Sequence, residues 1–261
     1  MLVEERRQRL LDLVSEKGYV ALTELAKAVK ASESTVRRDI ERLHDDGVLQ
    51  KTRGGAVYAG GGASLPPLED RSASQIEEKK QIARLAAARI ADGESVLLDG
   101  GTTTLEVARL LVGRAVQVVT NSLPIAMLFS SRHEADLVLL GGYIYPRTGV
   151  ALGPWTVRML EDVHVHQAIL SVGGVTDKGL FNSNVLLVET ERQMMRSADE
   201  VVVLADHTKI GRTALAYLCE LSAIDTLVVD ADLSADQRRL LDRTDVRVLI
   251  AGANDTAGEP T

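Results

Sequence analysis

Two stretches of this 261-residue chain carry polar residues at spacings that suit chemistry. The first is Ser32-Glu33-Ser34-Thr35-Val36-Arg37-Arg38. If it is helical, with Val36, Ile40 and Leu43 as the apolar stripe, Ser34 and Arg38 point directly away from the core and Thr35 and Arg37 flank them. Arginine can donate two hydrogen bonds to a guanine edge, and hydroxyls reach phosphates or bases, so this face suits DNA. Ser32 fits the N-cap. Lys51 and Arg53 follow on a short hairpin, where contact with phosphate is expected. The competing reading is a small helical domain with solvated charges. The arginine pair's place after a turn and before a basic hairpin favours DNA.

The second stretch is Asp99-Gly100-Gly101-Thr102-Thr103-Thr104, between an apolar run and a helix. Glycines there let backbone N–H groups approach an anion, and the helix dipole and threonine hydroxyls add to the attraction. The stretch lacks the Gly-Lys-Ser/Thr of a Walker loop and the glycine spacing of a dinucleotide fingerprint. A glycine turn with a threonine cap is the bland alternative. Comparable polar groups follow other apolar runs: Thr120-Asn121-Ser122, Gly141-Gly142, Gly173-Gly174 and Asp206-His207-Thr208-Lys209. In a parallel sheet these strand ends gather on one edge, where ligands bind. Lys209 would pair with a phosphate, and Asp99 and Asp206 would accept sugar hydroxyls. Asn184 and Glu189, before a helix with Arg192 and Arg196, would cap that helix or close over the ligand. His164, His166 and His207 have no second cluster at ligand spacing, so no metal or cofactor is expected.

The elements that must position these groups fall into two rhythms. Helical patterns at 3–17, 22–29 and 32–46, with Gly47 ending the third and a hairpin at 48–58, make a winged helix-turn-helix. A Gly-then-Pro stretch follows, giving a linker at 59–74. From 75 to 252 a long helix at 76–90 is followed by apolar runs at 96–98, 116–119, 137–140, 168–172, 201–204, 227–229 and 246–250, alternating with helical segments. Runs apolar at nearly every position are strands buried on both faces, so this is an α/β domain with a mostly parallel sheet. Residues 253–261 read as a flexible tail.

Charge divides the same way. Residues 1–58 carry 11 Lys/Arg against 10 Asp/Glu, and residues 59–261 carry 19 against 27. The acidity therefore lies outside the module expected to touch DNA. The single Cys219 excludes an intrachain disulfide and fits a reducing cytoplasm. The charges of Glu4, Glu5, Arg6 and Arg7 leave no signal-peptide core, and no apolar run reaches the roughly 18 residues of a membrane helix.

The N-terminal segment resembles the DeoR family of bacterial transcription regulators. The match lies in Glu24-Leu25-Ala26, in the run from Ser32 through Thr35-Val36-Arg37-Arg38-Asp39 to Ile40, and in Leu43, Gly47 and Gly54-Gly55-Ala56. Lys51 stands where the family commonly has Arg, and Arg53 where it has His. The span from Glu77 to about Val248 resembles the same family's sugar-phosphate-sensing domain, through Glu78-Lys79, Leu98 to Thr103, Thr120-Asn121-Ser122, Leu140-Gly141-Gly142, Gly179-Leu180 with Asn184, Ala205-Asp206 with Lys209, and Ile224-Asp225-Thr226. Phe181 stands where a small polar residue is common. The resemblance implies a fold similar to sugar-phosphate isomerases used as a sensor. It implies a regulator of a carbohydrate operon, most often a repressor, shifted by a phosphorylated sugar or related metabolite. Its partners would be operator DNA and that effector, with the chain as a dimer or dimer of dimers. The alternative is an isomerase with an added DNA-binding module, in which Asp99, Asp206 or Glu189 is the base and Lys209 stabilises charge.

Overall fold

The computed structural model describes residues 3–17, 19–45, 49–52, 54–58, 68–131, 134–146 and 148–252. Arg53, Gly47, residues 59–67 of the expected linker and the tail at 253–261 lie outside them. The chain divides into two compact units, Met1–Leu65 with Ser183–Val188, and Pro66–Asn182 with Glu189–Thr261.

The first unit begins with helix α1 (Val3–Lys17), strand β1 (Tyr19–Ala21), α2 (Leu22–Ala28) and α3 (Glu33–Asp45), and closes with β2 (Leu49–Lys51) and β3 (Gly55–Tyr58). Leu10 and Val14 from α1, Leu22, Leu25 and Ala26 from α2, and Val36, Ile40 and Leu43 from α3 form one apolar cluster. Each Leu or Ile so enclosed contributes about 1.5–3 kcal/mol relative to exposure. Ser32 caps α3 as expected, its Oγ accepting the Thr35 N–H at 3.2 Å. The expected hairpin forms, with Gln50 opposite Val57. Strand β1 was not expected: it adds a third, antiparallel strand, giving the order β1-β3-β2. Three residues are too few to show a period of two. Gly55 is needed here, because a Cβ would lie 2.1 Å from the Val20 carbonyl oxygen on β1.

The second unit opens with α4 (Leu68–Ala73) and α5 (Ile76–Ala87). Next come β4 (Ser95–Leu98), α6 (Thr102–Leu111), β5 (Gln117–Thr120), α7 (Leu123–Phe129), β6 (Asp136–Leu139), the hairpin β7 (Tyr143–Tyr145) and β8 (Val150–Leu152), and α8 (Pro154–Glu161). Then follow β9 (Val165–Ser171), β10 (Gly174–Thr176), β11 (Gly179–Asn182), α9 (Val185–Arg196, whose residues 185–188 fall in the first unit), β12 (Ala198–Ala205), β13 (Ala216–Cys219), β14 (Thr226–Asp230), α10 (Ala235–Leu241) and β15 (Arg247–Ala251). The seven apolar runs of the sequence are the seven strands of one sheet, ordered β15-β14-β12-β9-β4-β5-β6. Every pairing in it is parallel. Ile82, Ala86, Leu111, Ile125 and Phe129 from α5, α6 and α7 pack with Val96, Leu98, Val118, Ile169, Val202 and Val228 of the strands.

The chain runs from β4 outward through β5 and β6, then returns to build the other half from β9. The strand order therefore switches between β4 and β9, and a crevice opens beyond the carboxyl ends of strands at such a point. The β7–β8 hairpin and a second sheet, β10-β11-β13, were not anticipated. Their strands are only three or four residues long.

Candidate functional site

Helix α3 buries Val36 and Ile40 and leaves Ser34, Arg37 and Arg38 exposed, with Thr35 half-buried. Ser32 Oγ lies 2.9 Å from both the Ser34 and Thr35 hydroxyls, a chain of donors at the helix start. Arg38 Nε reaches the Ser34 carbonyl only at 3.4 Å, so its guanidinium is little committed. Asp39, at the end of the quoted motif, faces inward: it is 3% exposed and accepts Arg6 Nε at 2.6 Å and Arg7 Nε at 3.1 Å. It ties α1 to α3 and holds the outer face in register. Lys51 pairs with Glu41 of α3, and that pairing pulls the Glu41 pKa below its ordinary value. Lys51 is thus half of a surface ion pair and not a free cation.

The crevice between β4 and β9 is built on Asp99, which is 4% exposed. Its Oδ1 accepts the Gly101 N–H at 2.9 Å and the Thr104 hydroxyl at 2.7 Å, and its Oδ2 accepts the Ser171 N–H at 2.8 Å and hydroxyl at 3.2 Å. Burial pushes the carboxyl's pKa up, and these hydrogen bonds oppose the shift. Asp99 is a brace between the end of β4 and the end of β9, not an open acceptor for sugar hydroxyls. The glycines answer to the same packing. A Cβ at Gly100 would lie 1.7 Å from Val150 Cγ1, and one at Gly101 would lie 1.8 Å from Ser171 Oγ. The expected reason for them, room for an anion, is joined by a closer one, room for Val150 and Ser171.

Other polar strand ends are also committed internally. Thr104 Oγ1 is fully buried, Thr120 Oγ1 donates to the Leu98 carbonyl at 2.8 Å, and Asn121 Nδ2 donates to the Ala151 carbonyl at 3.0 Å. Ser122 caps α7, accepting the Ile125 N–H. Gly141 accepts from Thr156 at 2.8 Å, Gly142 leaves room for that same side chain, and Gly173 donates to the Phe181 carbonyl at 2.8 Å. Glu189 lies inside α9 rather than before it, exposed and two positions from the buried Glu191. Asn184 makes a local turn, accepting the Leu186 N–H at 2.8 Å.

What remains open is the start of α6 and a group of cations. Gly101, the N-cap of α6, supplies no side-chain cap, and Thr102 and Thr103 occupy its first turn. Asp206 caps a 3-10 turn at His207–Lys209, accepting the Thr208 N–H at 3.0 Å. Lys209 Nζ stands 3.9 Å from Asp206 Oδ2, close enough for attraction but beyond hydrogen-bond length. Two further cations, not singled out in the sequence as ligands, stand at the same edge. Lys79 on α5 is 5% exposed and donates to the carbonyls of Ser74 and, at 2.5 Å, Arg71. Burial lowers its pKa first; Asp206 raises it, while Lys209 and Arg71 lower it. Arg71 on α4 is desolvated beside Asp99 and Tyr145, and its Nε and Nη2 are buried without a hydrogen-bond partner. Lys79 did leave a trace in the sequence, since it falls on the apolar stripe with Ile82, Ala83 and Ala86. Arg71 left none.

A family model described as the DeoR C terminal sensor domain matches residues 74–231, and one described as a DeoR-like helix-turn-helix domain matches 6–60. The chain belongs to the DeoR family. Among DeoR-type relatives, the HTH-type transcriptional repressor GlcR of Bacillus subtilis is 31% identical over 96% of this chain and 97% of its own length. The glycerol-3-phosphate regulon repressor of Escherichia coli is 30% identical over 87% of this chain and 90% of its own. These relatives are transcriptional repressors, and this DeoR protein is a DNA-binding regulator, not an enzyme. The ribose 5-phosphate isomerase A structure from Methanocaldococcus jannaschii is 22% identical, over 52% of this chain and 55% of that one, at a TM-score of 0.38. That likeness is too slight to bear on function.

In this DeoR chain the three histidines noted in the sequence, His164, His166 and His207, each have a partner. His164 Nε2 lies 2.9 Å from Asp199, and His166 Nδ1 lies 2.8 Å from the Ser95 hydroxyl. His207, Asp230 and Asp232 do come together, a grouping that sequence spacing did not reveal. Asp230 is fully buried and accepts N–H bonds from His207 and Asp232, which explains the grouping as a loop brace. Among the described residues no helix is long and apolar enough to cross a membrane.

Proposed function

We propose that this regulator is a cytoplasmic repressor of a carbohydrate-metabolism operon, and that a phosphorylated sugar or related metabolite in the β4/β9 crevice sets its affinity for operator DNA. The observation that carries the reading is the start of α6, which has no side-chain cap, together with Lys209 3.9 Å from Asp206 and Lys79 buried against the Arg71 and Ser74 carbonyls. Unsatisfied first-turn N–H groups and the positive end of the helix dipole select an anion, and the lysines add formal charge. Thr102, Thr103 and Lys209 then hold the phosphate. Asp99 and Thr104 keep the loop in shape for it. The relatives, one a glycerol-3-phosphate regulon repressor, support an effector of this class. The effector acts by binding the DNA-competent and DNA-incompetent states with different affinity.

DNA is read by α3 from two copies. One winged module buries little DNA, and two-fold pairing of modules matches a palindromic operator. Support for a homo-oligomer comes from the sheet edge: Val138 and Leu139 on β6 are 47% and 40% exposed, and Trp155 on α8 is 77% exposed. A second copy of the chain would cover that apolar surface.

The test is a thermal-shift panel of glycerol 3-phosphate, hexose phosphates and their unphosphorylated counterparts. A specific ligand at a hundred times its Kd stabilises by about 2.7 kcal/mol. The active compound should then change retardation of an operator fragment. A shift from an unphosphorylated sugar alone would overturn the reading.

A further inference from the structure

We infer that Arg71 is itself a ligand of the effector's phosphate, and that this contact makes α4 a latch, held to the sensor unit by the effector. The inference rests on the crevice reading above and adds both a residue and a mode of regulation.

Arg71 presents two nitrogens, Nε and Nη2, that are buried and make no hydrogen bond. A buried donor without a partner is costly, more so on a charged group. The nearest carboxylate cannot satisfy it. Asp99 attracts the guanidinium, but its two oxygens already take Gly101, Thr104 and Ser171. A carboxylate offers about four lone-pair sites, and these contacts fill them. The guanidinium is therefore placed by a charge it does not bond. Two more cations adjoin: Lys79 interacts with Arg71, with Lys209 and with Asp206. Three positive groups stand among Asp206, Glu106 and a saturated Asp99, and of these cations Arg71 keeps two buried donors without a partner, which an anion with several acceptor oxygens would satisfy. A phosphate meets this, because the arginine fork offers parallel N–H donors to two of its oxygens.

The consequence for α4 follows from how that helix is held. It is six residues long and none of its residues is buried. The contact that fixes its C-terminal end is polar: Lys79 Nζ donates to the carbonyls of Arg71 and Ser74. A short helix without an apolar anchor is marginal on its own. An anion that bridges Arg71 on α4 to the start of α6 and to Lys209 adds the missing hold. Because α4 is the first described element after residues 59–67, holding it fixes where the chain enters the sensor unit. Released, that point moves from Leu68 toward Ile76. Effector binding would thus reach the segment that joins the two modules without any change in the parallel sheet.

The experiment is amide hydrogen exchange of the full chain, alone and with inorganic phosphate or glycerol 3-phosphate. Slower exchange is expected in two places, at residues 68–75 and in the first turn of α6. In Arg71→Gln and Arg71→Lys the α6 amides stay protected at higher probe concentration, affinity falls about ten- to a hundredfold, and protection at 68–75 is lost. Lysine keeps the charge but not the fork, so its failure to rescue separates a bidentate ligand from a general electrostatic effect. Unchanged melting of both variants without probe checks that they fold. If the α6 amides are protected while exchange at 68–75 does not respond to probe, the latch is wrong and the crevice reading stands. If neither place responds to any phosphorylated probe, both fall together.

Discussion

The loop after β4 gives the sharpest contrast between two reasons for one glycine. Gly101 has φ −76, which alanine adopts freely, so Gly101→Ala carries no backbone strain. The added Cβ would instead lie 1.8 Å from Ser171 Oγ and 2.7 Å from Ser171 Cβ. Ordinary contact is about 3.5–4.0 Å, so loop and strand end must part by well over 1 Å. Overpacking of this kind costs about 1–3 kcal/mol. The parting also stretches the bonds from Ser171 to Asp99, now 2.8 and 3.2 Å, each worth roughly 1.5–3 kcal/mol as hydrogen bonds to a charged group. We expect a total loss of about 2–5 kcal/mol from these terms. At about 2–4 °C of Tm per kcal/mol, calorimetry resolves it easily. The companion is Ser171→Gly, which removes both clashing atoms. If packing is why residue 101 is glycine, the double variant regains Tm relative to Gly101→Ala and regains effector binding in isothermal titration. If glycine is there so that an anion can approach, the double variant stays unable to bind. A Gly101→Ala protein as stable as the wild type would refute the packing argument altogether.

Further outcomes can be measured independently. Arg38→Ala should weaken operator binding by about 1–3 kcal/mol and relax base choice at one position, read by gel shift against single-base operator variants; equal affinity for all of them would remove Arg38 from the reading face. Lys209→Ala should cost about 1.5–3 kcal/mol of effector affinity, about ten- to a hundredfold, with operator binding in the absence of effector unchanged; calorimetry showing wild-type affinity would empty the Lys209 position. Burial, and then the Asp99 charge, hold the Glu191 pKa well above the ordinary carboxylate value. Its contribution to stability is therefore present at acid pH and lost as pH rises through the raised pKa. Glu191→Gln should flatten that loss with rising pH in denaturant titrations, and an unaltered slope would refute it. Val138→Asp, on the exposed face of edge strand β6, should lower the oligomer seen by light scattering without lowering Tm of the sensor unit.

Much of this was legible because it rests on period and burial. The seven runs were readable as strands because a parallel sheet covered on both faces leaves no polar positions to break them, and Val96, Leu97 and Leu98 are all 0% exposed. The helix-turn-helix was readable because α3 separates its faces cleanly. The short strands β1, β7, β8, β10, β11 and β13 were not, since they lie outside the parallel sheet whose apolar runs alternate with helices along the chain. Nor were the polar strand ends legible. Asp99, Thr104 and Thr120 look in sequence like ligand groups, and only their geometry shows that they spend their hydrogen bonds inside the fold, Asp99 on Gly101 and Ser171, Thr104 on Asp99 and Thr120 on the Leu98 carbonyl. The converse is Lys79, polar on an apolar stripe, where a lysine is tolerated only if something compensates the burial.

The distribution of charge ties these observations to function. Residues 59–261 are acidic, with 27 Asp/Glu against 19 Lys/Arg. A phosphorylated metabolite would find most of that surface repulsive, and so would DNA. Screening limits such repulsion to about 8–10 Å in physiological salt, so an inward-turned group of cations can still present a positive site. Arg71, Lys79 and Lys209 are the candidates for such a group: Lys79 is buried, and Arg71 and Lys209 are half-buried. The acidity outside then has a use. It discourages the sensor from lying along DNA non-specifically, and leaves contact to the face of α3, where Arg37 and Arg38 are exposed. On the proposed reading, anion recognition divides between two places of opposite design: an exposed arginine pair on a helix for a polyanion, and a partly buried group of cations for a single phosphate.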